Sequence, residues 1–240
     1  LKRKLWIIPF VILFSLSMAA KMDAAQQSQP VELAADTIEY DSAQGVMTAN
    51  GGVVTVTRGN AVMTGTSATY NTKTKEAEVS GGVKVVQDDA TLTAPEVRSF
   101  EDNHIVATGG NVVLVKGEDT LYGPLMEYYV DKQYAIVPQN GKLVTADSVM
   151  TADKIEAFTA ENRAVATGSV HIVSEQRQLD ATGDQAVYYG NGGQKGKVVL
   201  SGNARAVQQG NVLTGNRLVI YLDNKKMDSE GRSQLVVTPQ

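Results

Sequence analysis

His104 and His171 are the only histidines in this 240-residue chain, and cysteine is absent. Imidazole and thiolate are the usual zinc ligands, and a metal site draws three or four of them, or carboxylates, together. His104 follows Glu101-Asp102-Asn103 and reads as a solvated turn residue. His171 alternates with Val170 and Ile172, so it points to the opposite face of a strand from them. Neither has a second histidine or a carboxylate cluster in its local sequence. No thiol and no G-x-S-x-G motif are present, and no local motif supplies a nucleophile, a base and an orienting group. The pairs Asp88-Asp89, Glu101-Asp102 and Glu118-Asp119 are the candidates for carboxylate acid–base work on polysaccharides. Each adjoins a turn or repeat boundary, and adjacent strand residues face opposite ways, which is poor geometry for shared proton transfer. The glycine-rich segment from Gly190 to Gly196 lacks the Lys-Ser/Thr ending of a phosphate loop and reads as a hairpin tip. The sequence therefore presents no catalytic residues, no metal ligands and no cofactor site, and it is read as a non-enzyme.

Composition and the N-terminus bound the remaining possibilities. Lys2, Arg3 and Lys4 precede an apolar run from Leu5 to Leu16, with small residues Ser17 and Ala19 beyond it. That is the pattern of a secretory signal peptide over residues 1–19, with an uncleaved anchor as the alternative. Residues 20–30 read as a flexible linker, and 31–240 as one repeat domain. Cleavage shifts the net charge from −4 to about −7, which argues against nucleic acid as a partner. It also removes Trp6, the only tryptophan, and so weakens sugar stacking. An exported chain without cysteine is held by no disulfides. Its core is mainly Val, Leu, Ile and Met.

The elements that would position any functional side chain come from an internal repeat. A small residue, then Asp, Asn, Pro or Thr, then an apolar residue two places on recurs at Ala35-Asp36, Gly65-Thr66, Ala94-Pro95, Gly123-Pro124, Ala152-Asp153, Gly183-Asp184 and Gly215-Asn216. Successive copies are 30, 29, 29, 29, 31 and 32 residues apart. A glycine turn follows each copy about fifteen residues on, at Gly51-Gly52, Gly81-Gly82, Gly109-Gly110, Gly141, Gly168, Gly202 and Gly231, mostly leading into a β-branched run. Thr145-Ala146-Asp147 is a second near-copy and reads as a local insertion; Lys132 to Val137 is open between strand and loop. Polar and apolar residues alternate in Val31-Glu32-Leu33 and Ile38-Glu39-Tyr40. Each period reads as about three short strands, giving an all-β solenoid of about seven repeats of roughly thirty residues that stack to share a core. The first and last repeats resemble the middle ones, so both ends are expected to pair with other copies by strand addition.

Pro30-Val31-Glu32-Leu33-Ala34-Ala35-Asp36, Tyr40-Asp41, Gly51 and Val53 to Val56 resemble the opening signature of the OstA-like family. A second match closes the chain: Gly215-Asn216-Arg217-Leu218, Tyr221, Lys225-Lys226-Met227 and Val236-Val237. The array is longer than the compact members of that family. The resemblance implies a folded-over antiparallel β-jellyroll, or β-taco, whose apolar trough carries the lipid A acyl chains of lipopolysaccharide across the periplasm. It implies head-to-tail self-association between an inner-membrane export complex and an outer-membrane translocon. The repeated inward positions then line the trough: Leu33, Met63, Leu92, Leu121, Met150 and Leu213, with Ile38, Val97, Met126, Ile155 and Leu218. Val31 and Tyr40 are carried over from the family's opening strand. Flexible Met and Leu suit an acyl guest. The alternative is a structural or adhesive cell-envelope solenoid in which the same residues fill a dry core.

Overall fold

A computed structural model describes residues 31–238 except 101–103, 130, 162, 190–195, 223 and 225. The expected signal peptide and linker, Glu101-Asp102, Lys225 and nearly all of the glycine-rich segment lie outside the described residues. The strands are β1 Val31–Ala34, β2 Thr37–Asp41, β3 Val46–Arg58, β4 Ala61–Asn71, β5 Glu76–Gln87, β6 Ala90–Phe100, β7 His104–Thr108, β8 Val112–Lys116, β9 Asp119–Gly123 and β10 Met126–Tyr129. They continue as β11 Tyr134–Val137, β12 Gly141–Val144, β13 Val149–Ala152, β14 Lys154–Phe158, β15 Arg163–Ser174, β16 Leu179–Tyr189, β17 Lys197–Gln208, β18 Asn211–Tyr221 and β19 Met227–Val236. One 3-10 turn, Thr159–Glu161, joins β14 to β15. The all-β expectation holds, and Lys132 to Val137 resolves into a turn followed by β11.

The described residues form two compact units, 31–117 with 125–132, and 118–124 with 133–238. In the first, β3, β4, β5 and β6 pair successively as antiparallel hairpins. β1 and β2 pair with the two halves of β3, β7 and β8 with the two halves of β6, and β10 with β7. In the second, β15 to β19 form the same succession of hairpins. There β13 and β14 pair with the two halves of β15, β12 with β13, β9 with β12, and β11 with β14.

Five of the seven glycine signals sit inside long strands and are not turns between short ones, whereas Gly109-Gly110 separates β7 from β8 and Gly141 opens β12. The pairing slips between Asn50 and Val54, Ser80 and Val83, Thr167 and Val170, and Ser201 and Ala204. At each slip two consecutive residues have positive φ: Gly51 and Gly52, Gly81 and Gly82, Gly168 and Ser169, Gly202 and Asn203. This is a β-bulge, which bends a strand without ending it. A period within β3–β6 and β15–β18 is thus two crossings of 11–13 residues, such as β3 and β4, whereas β7 to β14 are short strands as expected. The anchor motif lies opposite the bulge one strand away. Asp36 covers Gly51, Thr66 covers Gly81, Pro95 covers Gly109, Asp153 covers Gly168 and Asp184 covers Gly202. The fifteen-residue offset in the sequence is this cross-strand neighbour relation.

The bulges divide each unit into two half-sheets, and in the second unit these fold face to face. Gly168 and Arg177 are nine residues apart, Gly215 and Leu222 seven, on opposite sides of the bulge row. At about 3.3 Å per residue, a flat sheet would separate Arg177 from Leu222 by roughly 50 Å. Instead the Arg177 guanidinium lies 2.8 Å from the Leu222 carbonyl oxygen.

Candidate functional site: an apolar interior

Strand alternation carries every second side chain to the inner face, and the hairpin registers place these side chains in rows across the strands. In the first unit one row runs Leu33, Val56, Met63, Val85, Leu92 and Leu114. Beyond the bulges another runs Ile38, Ala49, Ala68, Val79, Val97, Ala107 and Met126. The second unit repeats the arrangement with Leu121, Leu143, Met150, Ile172, Ala181, Ala206, Leu213 and Leu235 in one half-sheet. Its other half-sheet carries Val137, Ile155, Ala166, Ala186, Leu200 and Leu218.

All the repeated inward positions read from the sequence fall in these four rows. Val31 and Tyr40 lie on the same face, one inward position further toward the strand tips. Met63, Leu92, Val97, Met126, Ile155, Leu213 and Leu218 are buried, with Leu92 at 2% and Leu218 at 0% exposure. Leu33, Leu121 and Met150 are half-buried. Val31, Ile38 and Tyr40 sit on the opening strands and are exposed, at 49%, 49% and 59%. At the other end of the chain Leu235, Val236 and Val237 are 60%, 50% and 62% exposed.

Polar side chains with perturbed chemistry lie at the tips of the half-sheets or on the outer face. Burial, reinforced by Glu118 and Asp147, raises the Asp119 pKa above its ordinary value. Burial and the neighbouring Asp119 push the Tyr188 phenol up to about 12. The Tyr188 hydroxyl oxygen is buried with no hydrogen-bond partner among the described residues. His104 is not a turn residue. It opens β7, stacks on Tyr129 at 4.3 Å between ring centroids, and lies 2.8 Å from a Glu127 carboxylate oxygen that also accepts from Tyr129. On β14, burial works to raise the Glu156 pKa, but hydrogen bonds from Lys154 and Tyr134 outweigh it and hold the carboxyl low. His171 faces Asp180 at 3.2 Å. Asp88 lies in the β5–β6 turn and accepts from Asn60. Among the described residues, no three His, Asp or Glu side chains gather as metal ligands would.

Sequence reasoning missed one group at the tips: Arg177, Asp147, Asp119 and Tyr188. Arg177 and Asp147 are 30 residues apart, one full period, and that spacing was the signal available. Asp147 belongs to the near-copy Thr145-Ala146-Asp147, which forms the turn between β12 and β13, tied by the Thr145 amide to the Ser148 carbonyl at 2.8 Å.

The folded sheet with an apolar interior is the class of architecture; the family follows from comparison. The model of the LptA/(LptD N-terminal domain) LPS transport protein family matches twice, over residues 63–163 and 99–226. The chain belongs to this family of lipopolysaccharide transport proteins. Among solved structures it is similar to LptH of Pseudomonas aeruginosa, described as the LptA-homologous periplasmic component of the conserved lipopolysaccharide transport device. That likeness has 17% identity and a TM-score of 0.40, and covers 61% of this chain and 96% of LptH. No curated protein sequence matches the chain.

Proposed function

We propose that this chain is a periplasmic carrier that shelters the acyl chains of lipopolysaccharide between its half-sheets and joins its copies end to end. The carrying observation is the set of four continuous apolar rows, with the buried Arg58 on the same face kept to the strand tips beyond them, on a sheet that folds over itself in the second unit. Desolvating an acyl chain gains about 0.8 kcal/mol per methylene, or about 10 kcal/mol for roughly twelve carbons. A long apolar interior is what such a guest requires, and Met63, Met126 and Met150 give it adaptable walls. Leu33, Leu92, Leu121, Val97, Ile155, Leu213 and Leu218 are the further lining residues in this reading, with Val31, Ile38 and Tyr40 at the entrance strands.

The exposed apolar residues on the opening strands and at the C-terminal end support strand addition between copies. They also suit docking to an inner-membrane export complex at one end and an outer-membrane translocon at the other. Residues 1–19 serve as the export signal, and 31–240 as the working domain.

The test is equilibrium binding of lipopolysaccharide and of a fluorescent fatty acid to the purified protein. The wild type binds both. Met126→Lys, which places a charge in a row, lowers affinity at least tenfold while keeping the β-sheet circular dichroism spectrum. A wild-type protein that takes up neither ligand has a sealed interior and is the structural solenoid instead.

A further inference from the structure

The second unit carries a clasp that the apolar rows do not require. Arg177 sits in the turn between β15 and β16, at the tip of one half-sheet. Asp147 orients its guanidinium, with Nη2 at 2.9 Å and Nε at 3.2 Å from the same carboxylate oxygen. From there Arg177 reaches the opposite tip. Nη2 donates to the Leu222 carbonyl at 2.8 Å and Nη1 to the Tyr221 carbonyl at 3.5 Å. The turn itself is pinned from behind, where Gln208 Nε2 donates to the Arg177 carbonyl at 3.4 Å and the Gln209 amide to the Gln178 carbonyl at 3.2 Å.

A permanent seal between two apolar faces is better made by apolar side chains, because taking a guanidinium and a carboxylate partly out of water is costly. Hydrogen bonds from an arginine to main-chain carbonyls close a gap yet can be exchanged for water when the tips part. The donor is fixed by its own carboxylate on one lip, so it stays aimed while the other lip moves. We propose that Arg177, held by Asp147, is a gate residue that keeps the lips of the second unit closed over its interior, and that a guest acyl chain enters sideways when the bonds to Tyr221 and Leu222 break. The proposal rests on the carrier reading above and adds the route of entry and its control. A protein whose open form is a minor fraction binds more weakly and loads more slowly in proportion to that fraction.

The experiment follows uptake of cis-parinaric acid by the full chain in a stopped-flow fluorimeter. Arg177→Met removes the clasp and raises the loading rate at least fivefold. Asp147→Asn keeps the side-chain shape but releases Arg177, and gives a smaller acceleration; it carries the comparison should Arg177→Met fail to fold. The chain has no cysteine, so R177C/L222C introduces the only thiols. This double variant loads fast until a short bismaleimide bridges the lips, and then at least tenfold more slowly. If the wild type takes up the probe while the released and bridged forms load at its rate, entry is not between these lips and the gate is overturned. If no form takes up the probe, the carrier reading falls, and the gate with it.

Discussion

At the scale of single residues, the glycines of the bulges and of the β7–β8 bend are set by two separate demands. Gly168 and Gly110 both have positive φ, +79° and +93°, but only Gly168 lies under a neighbouring side chain, the Asp153 carboxylate; an added Cβ at Gly110 meets nothing. Gly110→Ala therefore isolates the backbone cost, about 1 kcal/mol, whereas Gly168→Ala adds displacement of Asp153 and costs about 2–3 kcal/mol. Urea denaturation with matched m values reads the difference. Asp119 gives a pH-dependent case. Its carboxyl keeps its proton to higher pH in the folded chain than in the unfolded one, where it ionises near 3.8. The penalty is absent below that pH, grows as pH rises toward the folded pKa, and persists at neutrality. Asp119→Asn accordingly raises Tm at pH 7, on the order of 1–2 °C, and the gain vanishes below about pH 3. Thermal melts at the two pH values check the sign.

At the scale of elements, the rows decide how much each lining residue is worth. Leu218 is wholly buried between Leu200 and Ser229, so Leu218→Ala costs about 2–5 kcal/mol. Leu33 lies half-buried on an edge strand, and Leu33→Ala costs under about 1 kcal/mol by the same denaturation measurement. The rows were legible in the sequence because inward residues recur with the period and strand alternation fixes their face. The long strands were not. Gly-Gly is a strong turn signal, and inside a β-branched run it equally marks a bulge. The deciding fact is tertiary: a covering residue on the neighbouring strand. His104 was misread for a similar reason, since Glu101-Asp102-Asn103 looks like a loop and the partner that stacks on its ring, Tyr129, is 25 residues away. The tip cluster was illegible locally, because Arg177 meets Leu222 only once the sheet folds over.

At the scale of the whole molecule, both chain ends of the array leave apolar side chains in solvent. Val31, Ile38 and Tyr40 begin it, and Leu235, Val236 and Val237 close it. An unprotected β edge recruits another strand. Light scattering over a concentration series should show mass rising with protein concentration, and Leu235→Lys with Val237→Lys should shift that rise to higher concentration. A wild-type chain that stays monomeric throughout would remove end-to-end joining from the proposed function. The family match covers residues 63–163 and again 99–226, so the chain fits the family pattern in two overlapping registers.

The same periodicity governs how such a chain changes size. Asp147 and Arg177, like Ala43 and Lys73, meet across one full period, so each hairpin passes on the edge it was given. Gain or loss of a whole hairpin leaves every remaining neighbour matched and alters reach by two strand widths, about 10 Å. A one-residue change turns the following strand inside out. Length in this architecture is therefore quantised in whole hairpins.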